Sequence, residues 1–170
     1  MAKVNRGRLT AGAGLEGKVL FIIGMRINRV WQFWKWIPVL VAMPRMLREL
    51  RHKPELGLVG VPKTYLSGRV VMVQQYWDSF EQLDHFARSR ELTHLPAWRR
   101  FNARIRDNGS VGIFHETVLL SDTTVETIYG NMPTFGLGAV TGAVSPQKRG
   151  QTAPQRLGID ADDVPPEDPY

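Results

Sequence analysis

Between residues 18 and 120 the spacing of apolar residues changes repeatedly, and the order of those changes restricts the fold more than any single motif. Residues 19–25 (VLFIIGM) form a solid apolar run suited to a strand covered on both faces, and residues 18–29 read as a first strand. Trp36, Leu40, Met43, Leu47 and Leu50 then recur at helical spacing, with Arg45, Arg48, Glu49 and Arg51 on the other side. Pro38 suits the first turn of that helix, and Pro44 is expected to kink or split it. Residues 57–66 and 69–79 read as two strands joined at Ser67-Gly68, where glycine supplies a positive φ. Ser79 followed by Gln82 has the form of a capping box, opening a helix with Leu83, Phe86 and Ala87 inward. Residues 96–106 make a further helical piece with Trp98, Phe101 and Ile105 on one face, closed by Asn108-Gly109. Residues 111–120 and 123–129 are the last strands.

The order is strand, helix, strand, strand, helix, strand, then an added strand. That is the split βαβ of a ferredoxin-like α+β fold, one antiparallel sheet with helices on one face. Such a sheet has a second apolar face to hide, and a homodimer with the two sheets packed together hides it. The domain is expected over residues 16–140. Residues 1–15, basic and rich in Gly and Ala, are expected to form a flexible arm. Residues 141–170 turn to Gly, Pro, Ser and Gln and end with Asp160, Asp162, Asp163, Glu167 and Asp168, the composition of an irregular acidic tail.

A length of 170 residues suits one domain with extensions. The net charge of +6 would permit an anionic partner, but a solvated basic face is the plainer reading. The sequence has no zinc-finger spacing, Walker loop or RNA-binding aromatic signature, so no specific nucleic-acid partner is expected. The chain has no cysteine, which excludes disulfides, thiolate metal sites and a cysteine nucleophile and is compatible with the cytoplasm. Nor is a metal site of His and carboxylates suggested. Residues 19–25 are too short for a signal peptide and run straight into Arg26. Residues 31–44 (WQFWKWIPVLVAMP) contain Lys35 and fall short of the ~20 apolar residues a spanning helix needs. No transmembrane span is expected. For Trp31, Phe33, Trp34 and Trp36 with Lys35 the preferred reading is packing within the protein, with peripheral membrane contact or covering of the partner subunit as the lesser alternatives.

The stretch VGIFHETVLL places His115 and Glu116 side by side in an apolar strand, where burying an ionisable group is costly unless compensated. Successive strand residues face opposite ways, so the two cannot share a cavity. His115 goes with Ile113 and Thr117, and Glu116 with Phe114 and Val118. His115 is assigned to the cleft between sheet and helices, where a neutral imidazole can accept a proton near neutral pH. Glu116 then falls at the dimer seam, with Arg26 on the neighbouring strand as its ion-pair partner. The residues equally allow a hydrogen-bonded structural His-Glu element. Tyr76, Trp77, Trp98 and Phe101 are candidates to wall a pocket for a flat ligand, with core packing as the competing explanation.

Several stretches in this order resemble a known family: PELGLVG from Pro54, QYWDSFEQLDHFA from Gln75, His94-x-x-x-Trp98 with Phe101-Asn102, and VGIFHET from Val111. Glu126-x-x-Tyr129-x-Asn131-Met132-Pro133 and Gly136-Leu137-Gly138 complete the match, which covers roughly residues 18–140. The chain is similar to the small monooxygenase-like family of dimeric α/β barrel proteins, formerly a domain of unknown function. That family is compared with a fungal polyketide-pathway monooxygenase and, more distantly, with antibiotic-biosynthesis monooxygenases. The resemblance implies a monooxygenase-like oxidoreductase of secondary metabolism acting on a small hydrophobic, aromatic or polyketide-like compound. In the leading reading no cofactor is required: His115 is the base, and Tyr76, Trp77 and Asn131 orient the ligand. The fold class also implies two alternatives: a haem protein of redox or dehydratase activity, with His94 or His85 as axial ligand, and a non-catalytic ligand-binding dimer.

Overall fold

The computed structural model describes residues 3–105 and 109–159; of residues 97, 98, 100, 102, 104 and 105 it describes the backbone only. In chain order the elements are β1 (Arg8–Ala11), β2 (Val19–Ile27), α1 (Phe33–His52), β3 (Leu58–Ser67), β4 (Val70–Trp77) and α2 (Phe80–Arg88). There follow α3 (His94–Ile105), β5 (Val111–Leu119), β6 (Tyr129–Gly130), α4 (Gly136–Val140), β7 (Ala143–Val144) and α5 (Ala153–Leu157). They fall into two units: Lys18–Leu119, and Met1–Gly17 with Leu120–Tyr170.

The larger unit is a four-stranded antiparallel sheet in the order β3-β4-β2-β5, the ferredoxin-like order read from the sequence. The solid apolar run of β2 is central because it pairs on both sides, Ile23 lying opposite Val73 of β4 and His115 of β5. Gly24 lets the sheet close here: a Cβ would lie 2.5 Å from the Phe114 ring and 2.9 Å from the Val71 carbonyl. The β3–β4 hairpin turns at Gly68 with φ +54°, the conformation expected of that glycine.

Packing against one face comes from α1, α2 and α3. Leu50 of α1, Leu83 and Phe86 of α2, Leu92, Val19 and Trp77 form one buried cluster, joined by Met46 and Leu47. Met25 and Val111 form a second, against which Trp36, Val39, Leu40, Phe101 and Ile113 pack. Burying such side chains contributes ~1.5–3 kcal/mol each. Ser79 caps α2 by accepting from the Gln82 N–H at 3.3 Å. The Gln82 side chain reaches the Glu55 carbonyl at 3.5 Å, so only half of the expected capping box forms.

Four expectations require correction. Pro44 neither splits nor ends α1, and Pro38 sits in its second turn. Both prolines are on exposed positions, where the freed carbonyls can bond water instead. Of the aromatic cluster, only Trp36 packs inward, whereas Trp31, Phe33 and Trp34 are exposed. The strand expected over residues 123–129 shrinks to β6, because Ser121, Thr123 and Thr124 bond locally: the Thr123 N–H donates to Ser121 Oγ and the Thr124 N–H to the Ser121 carbonyl. Finally, residues 8–11 of the expected arm form β1, and residues 143–144 and 153–157 of the expected tail form β7 and α5.

In the smaller unit β1 is the middle strand of a three-stranded sheet between β6 and β7. Thr10 and Ala11 are 2% and 4% exposed. Asp122 accepts from the N–H groups of Gly14 and Leu15 at 3.0 and 3.2 Å and pairs with Arg149 at 3.6 Å. Arg156, also buried, donates Nε to Glu126 at 2.7 Å and Nη1 to the carbonyls of Gly150 and Gln151, both at 2.9 Å. A capping box of Thr152 and Gln155 opens α5. The acidic residues 160–168 lie outside the described residues.

Candidate active site

The two core clusters of the larger unit do not meet. Between the sheet and its helices lies a cavity of about 1100 Å³, larger than the ~300–1,000 Å³ typical of ligand sites. Its floor is the helix-facing side of the strands. Direct pairing fixes which residues share that side: Phe21 with Thr117, Ile23 with His115, Met25 with Ile113. The roof includes Leu40, Met43 and Leu47 of α1 with Leu95 and Phe101 of α3.

His115 therefore stands on the cavity wall. Its ring lies 5.8 Å from that of Phe21, tilted at 39°. The wall carries few other polar groups, among them Thr117, Thr64, Thr93 and His94. His94 opens α3, and its Nδ1 is 3.0 Å from the Ala87 carbonyl. A carbonyl only accepts, so Nδ1 carries the proton and, in the neutral ring, Nε2 keeps its lone pair. Lys35 and Arg45 of α1 also line the cavity. Asp84, at its edge, is held by Arg88 at 2.7 Å.

One carboxylate fixes the roof. Glu49 of α1 accepts from the Thr93 N–H at 2.9 Å, the Thr93 hydroxyl at 2.6 Å and Lys53 at 3.1 Å. Burial pushes its pKa up, but the Thr93 bonds and Lys53 outweigh that and hold the carboxyl below the usual glutamate range. The start of α3, and with it His94, is thus tied to α1.

Of the residues singled out in the sequence, His115, Phe101 and His94 come together on this cavity. The side chain of Trp98 lies outside the described residues. Trp77 is a correction: it is fully buried, its Nε1 donates to Gln75 Oε1 at 3.0 Å, and its ring meets Phe86 at 5.6 Å. It is core, because the strand end it occupies sits under α2 rather than over the cavity. Tyr76, its neighbour, points to the opposite sheet face, where its hydroxyl accepts from Gln74. Asn131 belongs to the smaller unit, where a φ of +50° and a bond from the Gly7 N–H to its Oδ1 at 3.1 Å give it a turn-forming role. His85 is exposed on α2, away from the cavity.

The Arg26–Glu116 pair also requires correction within one chain. The register puts Arg26 opposite Gly112 and Glu116 opposite Ile22, four residues or ~13 Å apart along the strands. Arg26 donates instead to Asn28. Thr117 was expected beside His115, whereas Phe21 and Ile23 were not singled out. The alternation of β2 against β5 is the signal that finds them, once the register is known.

The fold and cavity define a ferredoxin-like α+β protein with a ligand-sized cavity between sheet and helices. The chain belongs to the monooxygenase af470-like family, whose model matches residues 18–137. It is 30% identical over 177 residues to the monooxygenase af470 of Aspergillus fumigatus, a match covering 88% of this chain and 60% of that protein. The chain thus spans about three-fifths of the curated relative it matches. Among solved structures, an aldoxime dehydratase in complex with butyraldoxime has the same fold, at 17% identity and a TM-score of 0.56. That match covers 76% of this chain and 42% of the dehydratase. SnoaB, a cofactor-independent oxygenase from Streptomyces nogalater, matches at 11% identity and a TM-score of 0.44, over 64% of this chain and 97% of SnoaB. No helix among the described residues is long and apolar enough to cross a membrane.

Proposed function

We propose that this protein is a monooxygenase-like oxidoreductase that oxidises a small hydrophobic, aromatic or polyketide-like compound bound in the cavity, with His115 as general base. The observation that carries the reading is the position of His115, an imidazole on an otherwise largely apolar wall, with Phe21 beside it and Ile23 opposite. Its imidazole takes a proton from an acidic C–H or O–H of the bound compound. The resulting carbanion or phenolate passes one electron to O₂, and the substrate radical and superoxide join as a peroxide. The peroxide takes the proton back from His115 and loses water to leave a carbonyl, so the substrate supplies the reducing power that a flavin otherwise brings. Phe21 and Phe101 supply flat apolar surface for an aromatic ring. The fungal relative, a monooxygenase by name, supports the reaction class.

The working form in this proposal is a cytoplasmic homodimer built on the sheet face opposite the cavity. Ile22 and Phe114 are only half-buried on that face, and Val118 is 46% exposed. Glu116 lies among them, so its ion pair, with Arg26 or another cation, forms across the seam.

A second reading rests on one observation, the His94–Ala87 bond. A ring nitrogen held by a carbonyl leaves the other free for a metal, the usual arrangement of a ligating histidine. His94, on the cavity wall, would hold a haem iron, while the exposed His85, away from the cavity, would not. Haem bound there would supply redox or dehydratase chemistry at its iron.

Absorbance and oxygen uptake test both. Colourless protein that consumes oxygen with a hydroxylated polycyclic aromatic probe, and a folded dimeric His115→Ala variant that does not, is the expected result. Full activity in His115→Ala rejects the base. A Soret band lost in His94→Ala favours the second reading.

A further inference from the structure

The first half of α1 is apolar on two opposite sides. Trp36, Val39 and Leu40 pack against the sheet cluster. Trp34, Ile37 and Val41 stand at i, i+3 and i+7 on the outer side and are 59%, 41% and 42% exposed. Trp31 and Phe33 widen this outer patch, and the rings of Phe33 and Trp34 meet edge to face at 5.2 Å. A helix apolar all round is normally buried on all sides.

The patch is held in place. Trp36 Nε1 donates to the Val30 carbonyl at 3.0 Å, and Ser110 Oγ donates to Gln32 Oε1 at 2.7 Å. The N–H groups of Asn28 and Arg29 both donate to the Ser110 carbonyl, at 3.0 and 3.2 Å. The aromatic rings therefore project from a fixed turn. Farther along, the same outer stripe becomes basic: Arg45 and Arg48 follow Trp34 at i+11 and i+14. Arg29 and Arg51 are exposed as well, and Glu49, the acid of this helix, is occupied by Thr93 and Lys53.

We infer that the outer face of α1 docks the protein on an anionic lipid bilayer. Tryptophan and phenylalanine side chains partition to the headgroup–acyl boundary, where their apolar rings leave water. Arginines along the same stripe meet anionic headgroups, and their alkyl stems lie on the apolar surface while the guanidinium stays at the phosphate level. Charge complementarity selects the bilayer as occupant: one stripe offers insertion at one end and cations at the other. The cytoplasmic leaflet carries the required negative charge.

The docking face also frames the cavity. Ile37, Pro38, Val41 and Arg45 are exposed, and all four line it, so its mouth opens beside the patch. An apolar compound dissolved in the membrane then reaches the His115 wall without crossing bulk water. This delivery step rests on the function proposed above, whereas docking does not.

Sedimentation of the full chain with vesicles separates the two. With phosphatidylcholine vesicles containing phosphatidylserine, the wild type is expected to sediment, less so as salt rises, with a blue shift in tryptophan emission. The Trp31→Ser/Trp34→Ser double variant changes only exposed rings and should lower partitioning by at least about tenfold. Arg45→Glu/Arg48→Glu should abolish the preference for anionic over neutral vesicles. Absence of wild-type binding, or equal binding by the tryptophan variant, overturns the proposal. It is also overturned if the wild type self-associates beyond a dimer and the tryptophan variant reverses that instead of vesicle binding. Vesicle binding is read without substrate and so stands apart from the oxygenase reading. That reading fails separately if the vesicle-bound protein consumes no oxygen when the hydroxylated polycyclic aromatic probe is added.

Discussion

The two units of this chain are held together by different forces. In Lys18–Leu119, Trp77, Val19, Leu50, Leu83 and Phe86 pack side chain against side chain. In the smaller unit, Thr10 meets Thr127 at 3.0 Å, Asp122 gathers two N–H groups, and the guanidinium of Arg156 spans Glu126 and two carbonyls. Apolar packing is distributed over many contacts and tolerates the loss of any one. A polar network in low dielectric is all or nothing, since each broken bond leaves its partner stranded.

The largest expected effect tests the first half of that contrast. Trp77→Ala removes the biggest fully buried side chain among the described residues and should cost about 3–5 kcal/mol, read as a fall in the urea midpoint. If the loss is below about 1 kcal/mol, packing is not what holds the larger unit. Next, Arg156→Met leaves Glu126 and two carbonyls without their donor; with Glu126 25% exposed, we expect a loss of about 2 kcal/mol. Hydrogen exchange should place that loss in residues 120–159 and leave β2 and β4 protected. A chain ending at residue 140 lacks β7 and α5 and should lose protection in β1, because β1 pairs with β7 through Thr10 and Ala11. Retained protection there would return residues 141–159 to the status of a dispensable tail.

The smallest effect concerns Glu49. Its folded pKa is lowered, so its contribution is fully present above the unfolded value, about 4.3, and is lost as pH falls through the folded value. Glu49→Gln should cost about 1 kcal/mol at neutral pH and flatten the decline in stability below about pH 4.5. An acid titration of the melting temperature that is unchanged by the substitution would detach Glu49 from the roof.

The same contrast explains what could be read from residues alone. β2, α1 and α2 were legible because their burial is written in period: the unbroken run at Val19, the helical recurrence of Trp36 to Leu50, Leu83 with Phe86. Alternation separates His115 from Glu116 but does not choose between the two sheet faces; it is His115 that lines the cavity. The partnership of Arg26 with Glu116 needed the register, which alternation does not fix, and a shift of four residues undoes it. Trp77 and His115 both face the helices, yet only the packing of α2 decides that one is core and the other wall. The smaller unit stayed hidden because Thr10, Asp122 and Arg156 carry no periodic signal and have the composition of a linker.

A core divided by a cavity has a consequence for how the protein melts. The Trp77 cluster and the Met25 cluster share a sheet, but residues of both, Leu83 and Leu47 of one and Met25 and Leu40 of the other, line the cavity, so part of the fold's cohesion is left for an occupant to supply. A compound that fits becomes core material, and a ligand at a hundred times its dissociation constant adds ~2.7 kcal/mol to the folded state. For a domain of this size that is a rise of several degrees in melting temperature, large enough to rank a compound collection by thermal scanning before any reaction has been assayed.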